Sequence, residues 1–205
     1  MAVKINKNSL LFLYEGDTEA EFYKTVFDKC VPPRVMKRNY GNLKGVYSLN
    51  DKVRSKIESY LRNESSINCN CIHVFIAYDR EGPRLTEPNL DIDNLICKYI
   101  HQGSRIISIN QIIATQDLES WFFHDLDGIY KFLKVVKSRR NLTAYNNIDS
   151  TNNRILSELF HRFGKHYQKG KRVQGFIDKL DIEKIISNVP ELSESITLIQ
   201  KLCEA

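Results

Sequence analysis

LLFLYEGDTEAEFY, residues 10–23, begins as an unbroken apolar run and passes through a glycine into an acidic segment with helical spacing. The large apolar residues from Leu10 to Tyr14 predict a buried strand, and a turn at Gly16 leads into an amphipathic helix. Glu15 therefore stands at the carboxyl end of a strand. Because ligands gather outside that end of the strands in open α/β sheets, the position of Glu15 indicates a functional role.

Part of this acidity has a structural explanation. Thr18 followed by Glu21 matches a capping box, and Glu19 in the first helical turn complements the helix dipole. Glu15 precedes the helix and has no capping role. Of the two glutamates nearest the turn, Glu15 is therefore the stronger functional candidate.

Apolar runs and helical patterns alternate through the first two-thirds of the chain. The strand-like runs lie at 10–14, 34–40, 71–78 and 105–115. Such alternation is typical of βα units and a mainly parallel sheet. A polar stretch then interrupts the pattern, and only helical spacing follows it. We expect an α/β core in residues 1–136 and a small, basic, mainly helical extension in residues 137–205 that packs on this core.

The composition is that of an ordinary globular domain. The 205 residues are 42% hydrophobic and 27% charged, enough for one sizeable core. No apolar run approaches the roughly 20 residues that a membrane helix needs, and the N-terminus lacks the features of a signal peptide. We therefore expect a cytoplasmic protein with no membrane partner.

The positive charge is concentrated late in the chain. The formal net charge is +5, but residues 137–172 hold nine Lys or Arg against two acids, and the remainder is slightly acidic. This separation is typical of a metal centre that acts on a polyanion held nearby. Taken alone, a solvated surface is the simpler explanation of the basic run.

Further acids follow two of the predicted strands. Asp79 and Glu81 come directly after the run 71–78, and alternate residues of an extended chain point the same way, so both can converge on one ion. Glu119 follows the next strand at the start of a helix. A turn-forming role for Asp79 and a helix-start role for Glu119 are the structural alternatives. Acids after three of the four predicted strands favour a shared site instead.

This set of carboxylates suits a hard divalent cation. Mg²⁺ takes oxygen ligands, usually one or two carboxylates with waters and substrate phosphate oxygens, and needs neither His nor Cys. Such an ion can activate water and neutralise charge during phosphoryl transfer. We predict a site for Mg²⁺ or Mn²⁺ with Glu15, Asp79 and Glu81 as catalytic metal ligands, and with Glu19 and Glu119 as further ligands or their supports.

Four segments together resemble a known superfamily. They are EGDTEAEF at 15–22, DRE at 79–81, ESWFFHD at 119–125 and GKHYQK at 164–169. The first two resemble the motifs of the TOPRIM superfamily, a glutamate after the first strand and Asp-x-Asp after a later one. More narrowly, the whole chain resembles small stand-alone TOPRIM-like, OLD-nuclease-related proteins of prokaryotes, which are often encoded beside ABC-type ATPases in defence loci.

The resemblance implies a Rossmannoid three-layer core and a metal-dependent nuclease acting on DNA or RNA, with an ABC-type ATPase as its partner. One position departs from the pattern. The second aspartate of Asp-x-Asp is replaced by Glu81, whose longer side chain still ligates metal but shifts the ion by roughly a bond length. That departure leaves open whether one or two metals are bound.

The fourth segment is also the centre of the basic region. Lys165, Lys169, Lys171 and Arg172, with Tyr167 among them, form a pattern that can bind a phosphate backbone and stack a base. Glycine-flanked basic turns are also common on surfaces. We predict nucleic-acid contact for these five residues on the condition that the protein is a nuclease.

Two other functions remain open from the sequence. A non-catalytic subunit that binds or regulates an ATPase would keep the fold and tolerate Glu81. An enzyme acting on small phosphorylated substrates would need a phosphate-binding glycine loop, and the sequence has no Walker or Gly-x-Gly-x-x-Gly pattern. The sequence leaves the choice between monomer and oligomer open.

Overall fold

The computed structural model describes residues 8–32, 36–63, 69–80 and 90–204, with the side chain of Lys171 outside the described part. The strands in those ranges are β1 (Asn8–Tyr14), β2 (Lys37–Asn42), β3 (Cys71–Asp79) and β4 (Ile106–Ala114). The helices are α1 (Asp17–Cys30), α2 (Leu49–Arg62), α3 (Ile92–Ile96), α4 (Leu118–Phe122), α5 (Leu126–Phe132), α6 (Asn153–Arg162), α7 (Gln174–Ile177), α8 (Ile182–Asn188) and α9 (Pro190–Glu204). Within the same ranges no helix has the length and apolarity to cross a membrane.

The described strands form one parallel sheet in the order β2-β1-β3-β4. The chain passes from β1 to its neighbour β2 and then crosses back to add β3 on the other side of β1. Parallel neighbours require such crossovers, and helices supply them. The predicted alternation of strands and helices, and the mainly parallel sheet, are confirmed.

The two faces of the sheet bury different residues. Leu10 and Phe12 of β1 belong to a core shared with α1 and the C-terminal helices, whereas Leu11 and Leu13 belong to a core shared with α2 and α3. This follows from the period of two along a strand. Helices therefore cover both faces, and the predicted three-layer α/β architecture is confirmed.

The C-terminal helices share their core with α1 and α4. The Phe122 ring lies 5.6 Å from that of Phe22 and 5.6 Å from that of Phe176, measured between centroids. Aromatic side chains of this size contribute roughly 1.5–3 kcal/mol each when fully buried. Rings from both sides of residue 137 thus pack together; the division of the chain at that position stays a prediction.

Two element boundaries differ from the sequence expectation. The strand expected at 34–40 is β2, which runs from Lys37 to Asn42, and residues 33–35 lie outside the described part. The sequence also indicates a helix from Asp117 that is interrupted at Asp127–Gly128, but both residues lie inside α5, and the break is a 3₁₀ turn at Phe123–Asp125. A Cβ at Gly128 would clash with the Asp125 carboxylate. This glycine therefore permits a close approach and does not end the helix.

Candidate functional site

A crevice opens at the carboxyl ends of β1 and β3. After β1 the chain enters α1 on one face of the sheet, and the next described helix after β3 is α3 on the other face. Neighbouring strands whose connections leave in opposite directions create a binding crevice in α/β sheets. A cavity of about 530 Å³ lies at this position, with Glu15, Glu19, Asp79 and Asp117 among its lining residues. The fold therefore brings together acids that are far apart in sequence.

Hydrogen bonds to main-chain amides fix the central carboxylates. Glu15 Oε2 accepts a hydrogen bond from the Asp79 amide at 3.0 Å, which ties the end of β1 to the end of β3. Asp79 Oδ1 accepts one from the Leu118 amide at 3.0 Å, which ties β3 to the start of α4. Asp79 is only 7% exposed. The loops after three strands thus meet at Glu15 and Asp79.

Glu19 reaches the cavity from the first turn of α1. Gly16 precedes this helix without any side-chain capping bond, and the Thr18 hydroxyl accepts a hydrogen bond from the Gly170 amide at 2.8 Å. The capping box expected from Thr18 and Glu21 is therefore wrong. A Cβ at Gly16 would lie 3.0 Å from Glu19 Oε2, so the glycine makes room for that carboxylate at the strand end.

The crowded acids shift one another's protonation. Burial, with smaller contributions from the carboxylates of Glu119 and Glu15, raises the pKa of Glu19 to about 7, although a main-chain hydrogen bond and, less strongly, Lys169 oppose the shift. Burial also raises the pKa of Asp79 well above its ordinary value, and Glu19 and Glu15 add to this. Repulsion of this kind is relieved by a bound cation.

Glu119, at the start of α4, is completely buried. Its Oε1 accepts a hydrogen bond from the Tyr167 hydroxyl at 2.9 Å and lies 3.3 Å from Lys169 Nζ. Its Oε2 has no hydrogen-bond partner among the described residues. Burial raises the pKa of Glu119, although Lys169 opposes the shift. A buried acceptor without a partner is energetically costly, and a cation or its water would satisfy it.

The basic segment is only partly available for a ligand. Lys169 lines the cavity, and its side chain is 52% exposed. Lys165 Nζ instead donates to the Phe132 carbonyl at 2.6 Å and lies 4.1 Å from the Phe132 ring centre. Burial raises the pKa of the Tyr167 phenol, which therefore stays a donor to Glu119.

The structure describes only one of the three remaining predicted site residues in full. Arg172 is exposed at the end of the same segment. The side chain of Lys171 and the whole of Glu81 lie outside the described residues. For these two, the predicted roles stay predictions.

Sequence reasoning missed one wall of the cavity. Asp117 caps α4 through the Ser120 amide at 3.1 Å and also accepts from the Asn153 amide at 2.7 Å. This second bond brings the start of α6, with Arg154, to the cavity. In the sequence, Asn153 and Arg154 follow a polar stretch that indicates a loop, and Asp117 is marked only as the start of a helix.

The donors suit a hard cation without forming a closed cage. All are carboxylate oxygens, which Mg²⁺ and Mn²⁺ prefer. In the described ranges, which exclude Glu81, no three His, Cys, Asp or Glu side chains form a group that could hold a metal ion. Mg²⁺ often binds through one or two carboxylates plus waters and substrate phosphates. The arrangement of Glu15 and Asp79 fits that open type of site.

Comparison with known proteins gives one structural likeness. No family model matches the chain, and no curated protein matches it. Among solved structures, the chain is similar to the C-terminal region of the Xanthomonas campestris pv. campestris OLD protein, with 17% sequence identity and a TM-score of 0.38. The alignment covers 96% of this chain and 98% of that one. A likeness of this strength does not assign an activity.

Proposed function

We propose that this protein is a TOPRIM-type, divalent-metal-dependent nuclease that hydrolyses phosphodiester bonds of DNA or RNA. The observation that carries the proposal is the convergence of Glu15, Glu19 and Asp79 in one cavity, where burial and mutual repulsion raise the pKa of Glu19 and Asp79. Perturbed carboxyls in a crevice at strand ends are typical of functional sites. The nearby Lys169 and Arg154 supply the opposite charge that a phosphate backbone needs.

Glu15 and Asp79 would hold Mg²⁺ or Mn²⁺, with Glu19, Glu81 and Glu119 as further ligands or their supports. When bound, the ion supplies Lewis-acid chemistry and an activated water. The main-chain amides that bind Glu15 and Asp79 orient these carboxylates before any ligand arrives. Such preorganisation avoids reorganisation during the reaction.

Glu19 holds a proton that competes with a cation. With a pKa of about 7, its carboxyl is about half protonated at neutral pH when no cation is present. Because carboxylates must lose their protons to bind metal, cation affinity increases as the pH rises. The same carboxyl, at Oε1 or Oε2, can accept a proton near neutral pH and return it.

Lys169 and Arg154 supply positive charge for the substrate. Both side chains line the cavity and remain largely exposed, at 52% and 80%. A guanidinium and an ammonium beside a phosphodiester stabilise the charge that develops on it. These two residues therefore orient the phosphate toward the acids.

The resemblance of the sequence motifs adds a finer proposal. It makes the chain a cytoplasmic effector of a prokaryotic defence system, controlled by an ABC-type ATPase partner. What supports this part is the order of the four motifs, including EGDTEAEF at 15–22 and GKHYQK at 164–169. Co-purification with an ATPase encoded beside it would test that association.

A cleavage assay tests the enzyme proposal. The full chain, with any neighbouring ATPase, is incubated with labelled DNA and RNA in Mg²⁺ or Mn²⁺. We expect cleavage that stops with EDTA and falls at least about a hundredfold in Glu15→Gln and Asp79→Asn. The exposed acids Glu183 and Asp51 give matched controls as Glu183→Gln and Asp51→Asn. Cleavage that survives in both cavity variants contradicts the proposal.

The alternative is a non-catalytic subunit that binds or regulates an ATPase. It is favoured by Glu81, which stands where the motif has its second aspartate. Isothermal titration separates the two functions. Binding of Mn²⁺ that is lost in Asp79→Asn supports the nuclease, whereas stable association with an ATPase and no metal binding supports the alternative.

A further inference from the structure

A second groove adjoins the acidic cavity. It has a volume of about 400 Å³ and is lined by Arg154, Ser157, Glu158, His161, His166 and Tyr167. Arg154 also lines the acidic cavity, so the two depressions share one residue. Lys169, two residues after Tyr167, belongs to the acidic cavity as well. A single extended ligand can therefore occupy both depressions.

The groove forms where the chain reverses after α6. His161 and His166 are five positions apart and would lie on different faces of a continuous helix. However, α6 ends at Arg162, and Gly164 adopts a positive φ of 70° that turns the chain back. The two imidazole rings consequently lie 6.1 Å apart between centroids, tilted by 52°. The turn thus creates a surface of adjacent flat rings.

The side chains of the groove match the chemistry of a nucleotide. His161 and His166 are exposed and offer faces for stacking a base. Ser157 and Glu158 supply polar groups for the edge of a base. The Arg154 side chain is 80% exposed, and its ion pair with Glu158 at 3.3 Å is of the exposed kind that contributes little. Its guanidinium can therefore turn to a phosphate.

The size and position favour an unpaired nucleotide. The volume of the groove, about 400 Å³, lies within the usual range of about 300–1,000 Å³ for small-ligand pockets. A base within a duplex is stacked and paired, so it cannot enter a side groove without being extruded. In a single strand, the base is available for stacking on protein rings.

We propose that this groove binds one unpaired nucleotide next to the phosphodiester that enters the acidic cavity. Arg154 contacts the phosphate that joins the two positions. The inference rests on the proposed nuclease function and assigns its substrate: a single strand, or a duplex with a frayed end. Tyr167 remains bound to Glu119 through its hydroxyl and contributes its ring to the end of the groove.

Fluorescence anisotropy of labelled oligonucleotides tests this assignment. The full chain is titrated with a single strand, a blunt duplex and a single strand with one abasic position, using Ca²⁺ in place of Mg²⁺. Compared with wild type, the double variant His161→Ala, His166→Ala should bind the intact single strand about fivefold or more weakly, as expected for lost stacking. Duplex binding should stay unchanged. His101→Ala, which removes an exposed histidine elsewhere, is the matched control.

The abasic strand makes the test specific for a base. Placed in the groove, the abasic position should weaken binding to the wild type but not to the double variant. If the wild type cuts and binds nucleic acid while the double variant equals it on every strand, the groove assignment is wrong and the nuclease proposal stands. If the wild type binds neither single strand nor duplex, the groove assignment and the nuclease proposal are both overturned.

Discussion

The acidic cavity and the basic segment that borders it are built in opposite ways. Asp79 ends β3, Glu15 directly follows β1, and both accept hydrogen bonds from main-chain amides. The segment 164–172 lies beyond α6, and three of its described side chains bind within the protein itself: Lys165 donates to the Phe132 carbonyl, and Tyr167 and Lys169 contact Glu119. The acids are thus held by the fold, whereas the basic residues partly serve to hold the segment against it.

The contrast shows that residues of the same charge can have different functions within one segment. Lys165 and Lys169 lie in the same motif, yet Lys165 caps a carbonyl of α5 and Lys169 faces the acidic cavity. Lys169 Nζ also lies 3.3 Å from the buried Glu119 carboxylate, so this one ammonium group both neutralises an acid and faces the cavity. The two lysines therefore have different roles although they share one motif.

The largest effect is expected at Lys169. Because Lys169 lines the cavity and Arg172 lies exposed three residues later, Lys169→Ala should lower the rate of metal-dependent cleavage by about a hundredfold, the usual effect of losing one electrostatic stabiliser. Arg172→Ala should change the rate less than about fivefold. Single-turnover cleavage rates measure both. Equal effects of the two variants would show that the segment acts only through its overall charge.

The next effect concerns the pH dependence of folding. The pKa of Glu19 is about 7 in the folded protein and 4.5 ordinarily, so between these values the folded chain binds more protons than the unfolded chain. The free energy of unfolding contributed by Glu19 therefore falls as the pH rises through this window. The whole effect is at most about 3 kcal/mol.

Glu19→Gln measures the pH-dependent contribution of Glu19 to the free energy of unfolding. Against wild type in metal-free buffer, the variant should unfold with nearly the same free energy at pH 4.5 and with a clearly higher one at pH 7, as followed by urea denaturation. Glu183→Gln, at an exposed position, should show no such divergence. A constant difference between Glu19→Gln and wild type across the window would mean that the Glu19 carboxyl is not perturbed.

The smallest effect is expected at Tyr167. Tyr167→Phe removes only the hydroxyl that donates to Glu119 Oε1, and so deprives a buried carboxylate of one partner. The free energy of unfolding should fall by about 1–2 kcal/mol. Tyr47→Phe, at a side chain that is 86% exposed, is the control and should leave stability unchanged. Urea denaturation measures both variants. An unaltered midpoint in Tyr167→Phe would show that the hydroxyl does not stabilise the segment 164–172.

Much of the fold was predictable because its signals are local. Apolar runs such as 71–78 and the helical spacing of α1 and α2 are read within a dozen residues, and strands β1, β3 and β4 appear close to where the pattern places them. The helix break near Gly128 was misplaced because this glycine makes room for the Asp125 carboxylate. That contact exists only in the folded turn.

The site was predictable only in part. Glu15, Glu19 and Asp79 could be predicted from the sequence because an apolar run followed by a turn shows where a strand has its carboxyl end. Asp117 and Arg154 were missed because their place in the cavity depends on a hydrogen bond between the Asp117 carboxylate and the start of α6, which no local pattern contains.

The amino-acid pattern specifies the parallel α/β class and the carboxylates that follow β1, β3 and β4, since hydrophobic period and turn residues act over short distances. The folded chain alone shows which of those carboxylates share a cavity, which lysine faces it, and that His161 and His166 form one surface. Those outcomes depend on the crossovers of β1 and β3 and on a chain reversal at Gly164, which bring distant residues into contact through packing and not through spacing.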